Sequence, residues 1–232
     1  GKDRGHRNFK IKVGRGGMHM PLEQGMKRDI DVVFGIREVA GPDARIMIDA
    51  NNGYNLNLTK QMLSAVAETN VYWMEEAFHE DIALYENLKA WIQSEKLNVL
   101  IADGEGLAAP PLVDWALKGF VDVIQYDIFA YGFTQWLELG PILDRDKVRS
   151  APHHYGSGYG NYVAGHLASA IEGFQFVEWD GVVTIPGLDD SNYTIHEGTV
   201  LIPAKPGFGL NLDEQYYSKI VGDNGWIVEK RK

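Results

Sequence analysis

The chain has 232 residues, a formal net charge of −10 and no cysteine. Its balance of 45% hydrophobic and 23% charged residues is that of a globular domain. The acidic balance argues against nucleic acid as a partner, and the lack of cysteine excludes disulfides, thiolate nucleophiles and Cys-based zinc sites. No run of 18 apolar residues reads as a membrane span, and the polar start Gly1–Asn8 is not a signal peptide, so a cytoplasmic location is expected.

In chain order, short β-rich runs alternate with longer amphipathic stretches. Strands are predicted at Phe9–Val13, Arg45–Ile48, Tyr72–Met74, Val99–Ala102, Val121–Gln125, Lys147–Ala151 and Phe174–Val177. Helices are predicted at Gln24–Ala40, Leu58–Glu68, Ile82–Ser94, Pro111–Lys118, Thr134–Asp144 and Asn161–Glu172. The first places Met26, Ile30, Val33 and Ile36 at steps of three and four and stops at Gly41-Pro42. This alternation implies right-handed βαβ units and a parallel sheet. A repeat of about 30 residues suits a TIM barrel of the (β/α)8 type, with a doubly wound open sheet as the competitor. Asp180–Gly209 is rich in Gly, Pro, Asp and Asn. The expected division is therefore a barrel over 1–180 and, over 181–232, a tail packed on the barrel or its capping region.

Barrel enzymes carry their chemistry at the C-terminal strand ends. Here those ends hold Lys10 and Lys12, Asp49 and Asn51, Glu75 and Glu76, Asp103 and Glu105, Asp127, His153 and His154, and Glu178. An ionisable residue after every strand is hard to explain as ordinary polar loop. Asp49, Glu75 and Glu105 close consecutive strands, which lie about 4.8 Å apart, so they can converge on one hard cation such as Mg2+. Read singly, each could equally be a surface acid or a helix cap. Lys10 and Lys12 are two apart and share a strand face, where crowding of two amines lowers their pKa and can produce a base. Asp127 and His153 end adjacent strands, so the carboxylate can orient the imidazole. His154 and His166 compete for that role, although His166 falls inside a helical pattern. Asp49-Ala-Asn-Asn-Gly-Tyr glances at a calcium loop, but its glycine is misplaced and Lys60 stands where the closing Glu belongs. Gly156-Ser-Gly-Tyr-Gly160 could hold an anion ahead of a helix, or be only a tight connection.

As an ordered set, Lys10-Ile-Lys12, Asp49-Ala-Asn51, Trp73-Met-Glu75-Glu76, Gly104-Glu105, Asp127, Ala151-Pro-His153 and Val177-Glu178 resemble the mandelate racemase group of the enolase superfamily. The resemblance implies a modified (β/α)7β barrel with Asp49, Glu75 and Glu105 as Mg2+ ligands and Asp103 as a rival third ligand. Lys12 would be a base on one face of a carboxylate substrate. Lys10 would tune Lys12 and contact the carboxylate. His153 with Asp127 would be the acid/base on the other face, Glu178 would hydrogen-bond the enolate, and Asn51 would contact substrate. It also implies that an N-terminal capping domain and the first barrel strand lie outside this chain, and that the protein is a homo-oligomer. Ala77 departs from the proline usual in relatives. The function implied first is dehydration of a sugar acid. A racemase or epimerase of 2-hydroxy acids is the alternative, and a non-catalytic, metal-stabilised barrel or binding module the third.

Overall fold

The computed structural model describes residues 1–179, 181 and 185–225. Six parallel strands form one sheet: β1 (Phe9–Lys12), β2 (Ile46–Asp49), β3 (Trp73–Glu75), β4 (Leu100–Asp103), β5 (Val123–Ile124) and β6 (Arg149–Ser150). Their spatial order is β1-β2-β3-β4-β5-β6, with no reversal. A doubly wound sheet needs a switch in strand order, so the strictly sequential order is that of a barrel. The sheet also curls back on itself. Tyr72, just before β3, donates its hydroxyl to Gln175 Oε1 beyond β6 at 2.6 Å. The Tyr72 and Trp73 rings lie 5.8 and 5.6 Å from Phe176.

Between the strands run α1 (Leu22–Ala40), α2 (Leu56–Ala65), α3 (Ile82–Ser94), α4 (Leu112–Leu117), α5 (Phe133–Arg145) and α6 (Tyr159–Ala168). Their starts are chemically marked: Asn55 accepts from the Leu58 N–H, and Asp81 from the N–H groups of Ala83 and Leu84. α1 ends at Gly41, which adopts φ 90°. Arg37 then cross-links that turn, donating to the carbonyls of Gly41 (2.7 Å), Ala44 (2.7 Å) and Thr69 (2.8 Å).

The strand period of two sorts the core into two layers. Ile46, Ile48, Met74, Ile101 and Ile124 face the helices and pack with Val33, Leu88, Trp136 and Leu143. Met47, Trp73, Ala102, Val123 and Ala151 form a smaller cluster inside the curl. Residues on that inner parity near the strand ends are therefore delivered to the barrel mouth.

Two expectations need correction. Phe174–Val177 is not a strand: it touches the sheet by a single bridge between Ser150 and Phe174. Only two hydrogen bonds, Ser150 N–H to Gly173 O and Gln175 N–H to Ser150 O, tie it to β6. A chain paired on one side alone has few bonds to hold it in a ladder, and its inward aromatic contacts fix it instead. The last predicted helix stops at Ala168 rather than Glu172, where Ser169 closes it with a bond back to His166 O.

The expected tail consists, among the described residues, of the pair β7 (Leu188–Asp189) and β10 (Asn211–Leu212), the hairpin β8 (Thr194–His196) with β9 (Thr199–Leu201), and α7 (Glu214–Asn224). It is tied to α6. Tyr162 donates to Asp190 Oδ2 at 2.5 Å, and Tyr193 donates to Phe208 O at 2.6 Å while lying 3.2 Å from His166 Nδ1. Residues 180, 182–184 and 226–232, which include the expected boundary and the chain's last apolar stretch, lie outside the described residues.

Candidate active site

Strand register brings the first residues of the site to one level. Lys12 pairs with Asp49, Asp49 with Glu75, and Glu75 with Ala102. The functional groups of three strand ends thus stand side by side at the mouth, with Lys10 one pleat below Lys12. The lysines bond directly to the acids. Lys12 Nζ donates to Asp49 Oδ2. Lys10 Nζ lies 2.5 Å from Glu75 Oε1, 2.9 Å from Glu178 Oε1 and 3.4 Å from Asp49 Oδ2. Burial works against the Lys10 ammonium, but the carboxylates of Glu75, Glu178 and Asp49 overrule it and hold its pKa above the ordinary lysine value. Crowding of the two amines therefore does not lower the Lys10 pKa, because three surrounding anions outweigh one neighbouring cation.

Asp49, Glu75 and Glu105 each offer an oxygen, and these atoms lie within 4.8 Å of one another. Asp49 and Glu75 are fully buried, whereas Glu105 retains some exposure. Burial opposes ionisation of Asp49, yet Lys10 and Lys12 pull its carboxyl below the usual range. Burial, reinforced by Asp49 and Glu178, pushes Glu75 above it despite Lys10. Hard oxygen donors converging at this spacing, with two carboxyls that resist sharing their charge, fit a small divalent cation.

The structure separates residues that the sequence left as rivals. Asp103 faces α3 instead of the cluster: it accepts from the buried Tyr85 hydroxyl and from the Gly104 N–H at 2.7 Å. Burial raises its carboxyl to about 7. Glu76 is not among the three converging acids, although it lies beside Glu105. It has φ 43° and accepts from Asn51 Nδ2 and Asn52 Nδ2, both at 2.9 Å. Burial and then Glu105 push it up to about 8. Asn51 also donates to Glu105 Oε1 at 3.2 Å and, through its backbone N–H, to Asp49 Oδ1 at 2.9 Å, so it links the acids.

Across the mouth stands His153. Its Nδ1 is 3.1 Å from Asp127 Oδ2, and its Nε2 is 3.1 Å from Glu105 Oε2 and 4.0 Å from Glu178 Oε2. Asp127 is itself fixed, accepting from the N–H groups of Phe129 (2.8 Å) and Ala130 (2.9 Å). The carboxylate can therefore hold the imidazole by Nδ1 and leave Nε2 for proton transfer at the site. His154 points the other way and is buried against α6. A Cβ on Gly160, in the first turn of α6, would lie 2.4 Å from its ring, so that glycine is a packing requirement. His166 lies within α6, its Nδ1 2.9 Å from Tyr162 O. Lys10, Lys12 and Glu178 also border a cavity of about 850 Å3, whose lining includes Trp73, Gln125 and His154.

Three supporting residues went unrecognised in the sequence. Trp73 Nε1 donates to Glu75 Oε2 at 2.9 Å, which period-two spacing on β3 could have indicated. Asn52 holds Glu76, with no signal beyond its place in the Asp49 loop. Asp29 is a fully buried acid on the apolar stripe of α1, and its position between Met26 and Val33 was the clue.

Comparison with known proteins bears on the fold and family. The model of the family described as enolase C-terminal domain-like matches residues 2–216. D-galactarolactone cycloisomerase of Agrobacterium fabrum is 26% identical over 223 residues, covering 88% of this chain and 54% of that protein. Arabinonate dehydratase of Saccharolobus solfataricus is 24% identical over 221 residues, covering 93% and 55%. Among solved structures, galacturonate dehydratase from Geobacillus sp., complexed with D-galacturonate and 5-keto-4-deoxy-D-galacturonate, is 57% identical with a TM-score of 0.95, covering 97% of this chain and 60% of that one. A mandelate racemase/muconate lactonizing protein from Geobacillus sp., complexed with magnesium/tartrate, is similar at 57% identity and a TM-score of 0.95, over 97% of this chain and 58% of that one. The chain thus spans a little over half the length of the relatives it matches. With the sequential parallel sheet and a family match over nearly its whole length, the chain belongs to the enolase C-terminal domain-like family.

Proposed function

We infer that the protein is a Mg2+-dependent acid-sugar dehydratase whose substrate is a hexuronate of the galacturonate kind. One observation carries the reading: an amine and an imidazole flank one carboxylate cluster, Lys12 bonded to Asp49 and His153 Nε2 3.1 Å from Glu105 Oε2. The galacturonate dehydratase at 57% identity supports the substrate class.

Asp49, Glu75 and Glu105 would hold Mg2+, which when bound supplies positive charge to the oxygens of the substrate carboxylate. Lys12, entering the step as its neutral amine, takes the proton from the carbon next to that carboxylate and becomes the ammonium, and the C–H electron pair moves onto the carboxylate as an enolate. Lys10 would give charge to the same oxygens, and Glu178 could give them a hydrogen bond only in its protonated form. The enolate then collapses and breaks the neighbouring C–O bond. His153, oriented by Asp127, gives its proton to the departing hydroxyl, which leaves as water. For a hexuronate this takes hydrogen from C5 and hydroxide from C4, and the resulting enol becomes a 5-keto-4-deoxy acid. That product is the compound named in the related structure.

The test uses the full-length protein with Mg2+, D-galacturonate and a panel of acid sugars in deuterated buffer. Keto-acid release and α-proton exchange are followed together. Substrate-dependent release of keto acid is expected, with Lys12→Ala and His153→Ala each losing about 10²–10⁴-fold. Exchange at the α-carbon without keto acid would establish the racemase alternative, since the same two groups could pass a proton across the substrate. Neither exchange nor product, or a function indifferent to both substitutions, would leave the non-catalytic barrel.

A further inference from the structure

Asp29 is a fully buried carboxylate on α1 that takes no part in the chemistry above. A carboxylate in that position is costly unless its oxygens are satisfied. Here Oδ2 accepts three hydrogen bonds: from the N–H groups of Gly14 (2.8 Å) and Arg15 (3.1 Å), and from the Tyr54 hydroxyl (2.9 Å). Oδ1 accepts from Arg28 Nη1 at 3.0 Å. Burial, and then the Asp29 charge, keep the Tyr54 phenol protonated and donating.

These donors belong to two loops. Gly14 and Arg15 follow Lys12 on the loop leaving β1. Tyr54 closes the loop leaving β2, which carries Asn51 two residues after Asp49. The loops meet backbone to backbone. A Cβ on Gly14 would lie 2.5 Å from Ala50 O, and one on Gly53 would lie 2.6 Å from Gly14 O. Gly14 also adopts φ 77°. At these two contacts no side chain fits, and Asp29 Oδ2, from behind, accepts from both loops.

We propose that Asp29 is a positioning residue for Lys12: by clamping the loops after β1 and β2 to α1, it sets where the Lys12 amine stands relative to Asp49. The proposal rests on the reading of Lys12 as the base, and its effect runs through the height and direction of β1's last residues. It differs from a packing role in what it predicts. Loss of the clamp changes the rate of proton removal in folded enzyme, while the cation, held by Asp49, Glu75 and Glu105 from three strands, stays bound.

The experiment compares wild type, Asp29→Ala, Asp29→Asn and Tyr54→Phe in the full-length protein. It measures unfolding midpoint, Mg2+ affinity by calorimetry, kcat and KM for keto-acid release, and crystal structures with Mg2+. A displacement near 1 Å costs about 10²-fold in rate, so folded Asp29→Ala should lose about that much kcat, with KM and Mg2+ affinity within about threefold of wild type. Asp29→Asn, which keeps an acceptor oxygen, should recover most of the loss, and the Asp29→Ala crystal structure should show Lys12 Nζ shifted from Asp49. Folded Asp29→Ala with wild-type kcat, or with Lys12 undisplaced, overturns the proposal. If Asp29→Ala does not fold, Tyr54→Phe must show the same kcat-only loss in smaller measure, and unchanged kinetics there overturns it equally. If wild type releases no keto acid, the functional reading falls, and the position of Lys12 in the Asp29→Ala crystal structure decides this proposal by itself.

Discussion

Replacing Lys10 by methionine isolates the electrostatic problem at the centre of the site. The Lys10 ammonium lies 2.5, 2.9 and 3.4 Å from carboxylate oxygens of Glu75, Glu178 and Asp49, and its side chain is only 13% exposed. Methionine fills similar space without charge. Removing one partner of a buried ion pair costs about 3–5 kcal/mol, because the remaining charge is left uncompensated. That is the loss expected for Lys10→Met in urea unfolding with EDTA. The orphaned carboxylates should then hold Mg2+ more tightly. At a concentration 100 times its Kd the cation stabilises wild type by about 2.7 kcal/mol; a tenfold tighter site raises this to about 4.1 kcal/mol. The stability difference between the two proteins should therefore shrink by about 1.4 kcal/mol when Mg2+ replaces EDTA. Four unfolding curves suffice. Equal differences in EDTA and Mg2+, or a loss below about 1 kcal/mol in EDTA, would refute the placement of Lys10 as counter-charge to the cluster.

Two further outcomes are expected. Burial raises the Asp103 carboxyl to about 7, so the folded protein holds its proton more tightly than the unfolded chain does. Its contribution to stability is full below about pH 4 and is lost as pH rises through about 7; Asp103→Asn should flatten that part of the stability profile, and an unchanged slope would count against the assignment. Gly53→Ala forces a methyl to within 2.6 Å of Gly14 O and 2.9 Å of Ala50 O. It should destabilise the protein by about 1–3 kcal/mol, read from the urea midpoint.

Much of the fold was legible because apolar runs and helical stripes report burial directly. Ile82–Ser94 matches α3 end to end, and Ile46 and Ile48 lie in the layer their spacing assigns. What the sequence could not carry was the partner of each group. Phe174–Val177 has strand composition, yet composition does not say whether a neighbour offers a ladder of bonds. Asp103 and Glu105 sit two apart at one strand end, but Asp103 shares the helix-facing parity of Ile101 on β4 and is held there by the Tyr85 hydroxyl from α3. The second Glu of the Glu75-Glu76 pair is drawn aside by two asparagines from a different strand end. Asp29 was hidden for the same reason: the three donors to its Oδ2 come from loops up to 25 residues away.

The order in which the site's groups occur along the chain has a consequence for biosynthesis. Lys10, Lys12, Asp49 and Glu75 all occur before Glu105, His153 and Glu178. Chains emerge from the ribosome N-terminal end first, and the nascent β1–β2–β3 unit carries two amines and two inward carboxylates before the third oxygen donor has been made. In the folded chain, Lys10 and Lys12 are counter-ions to Asp49 and Glu75 drawn from within the same first three strands.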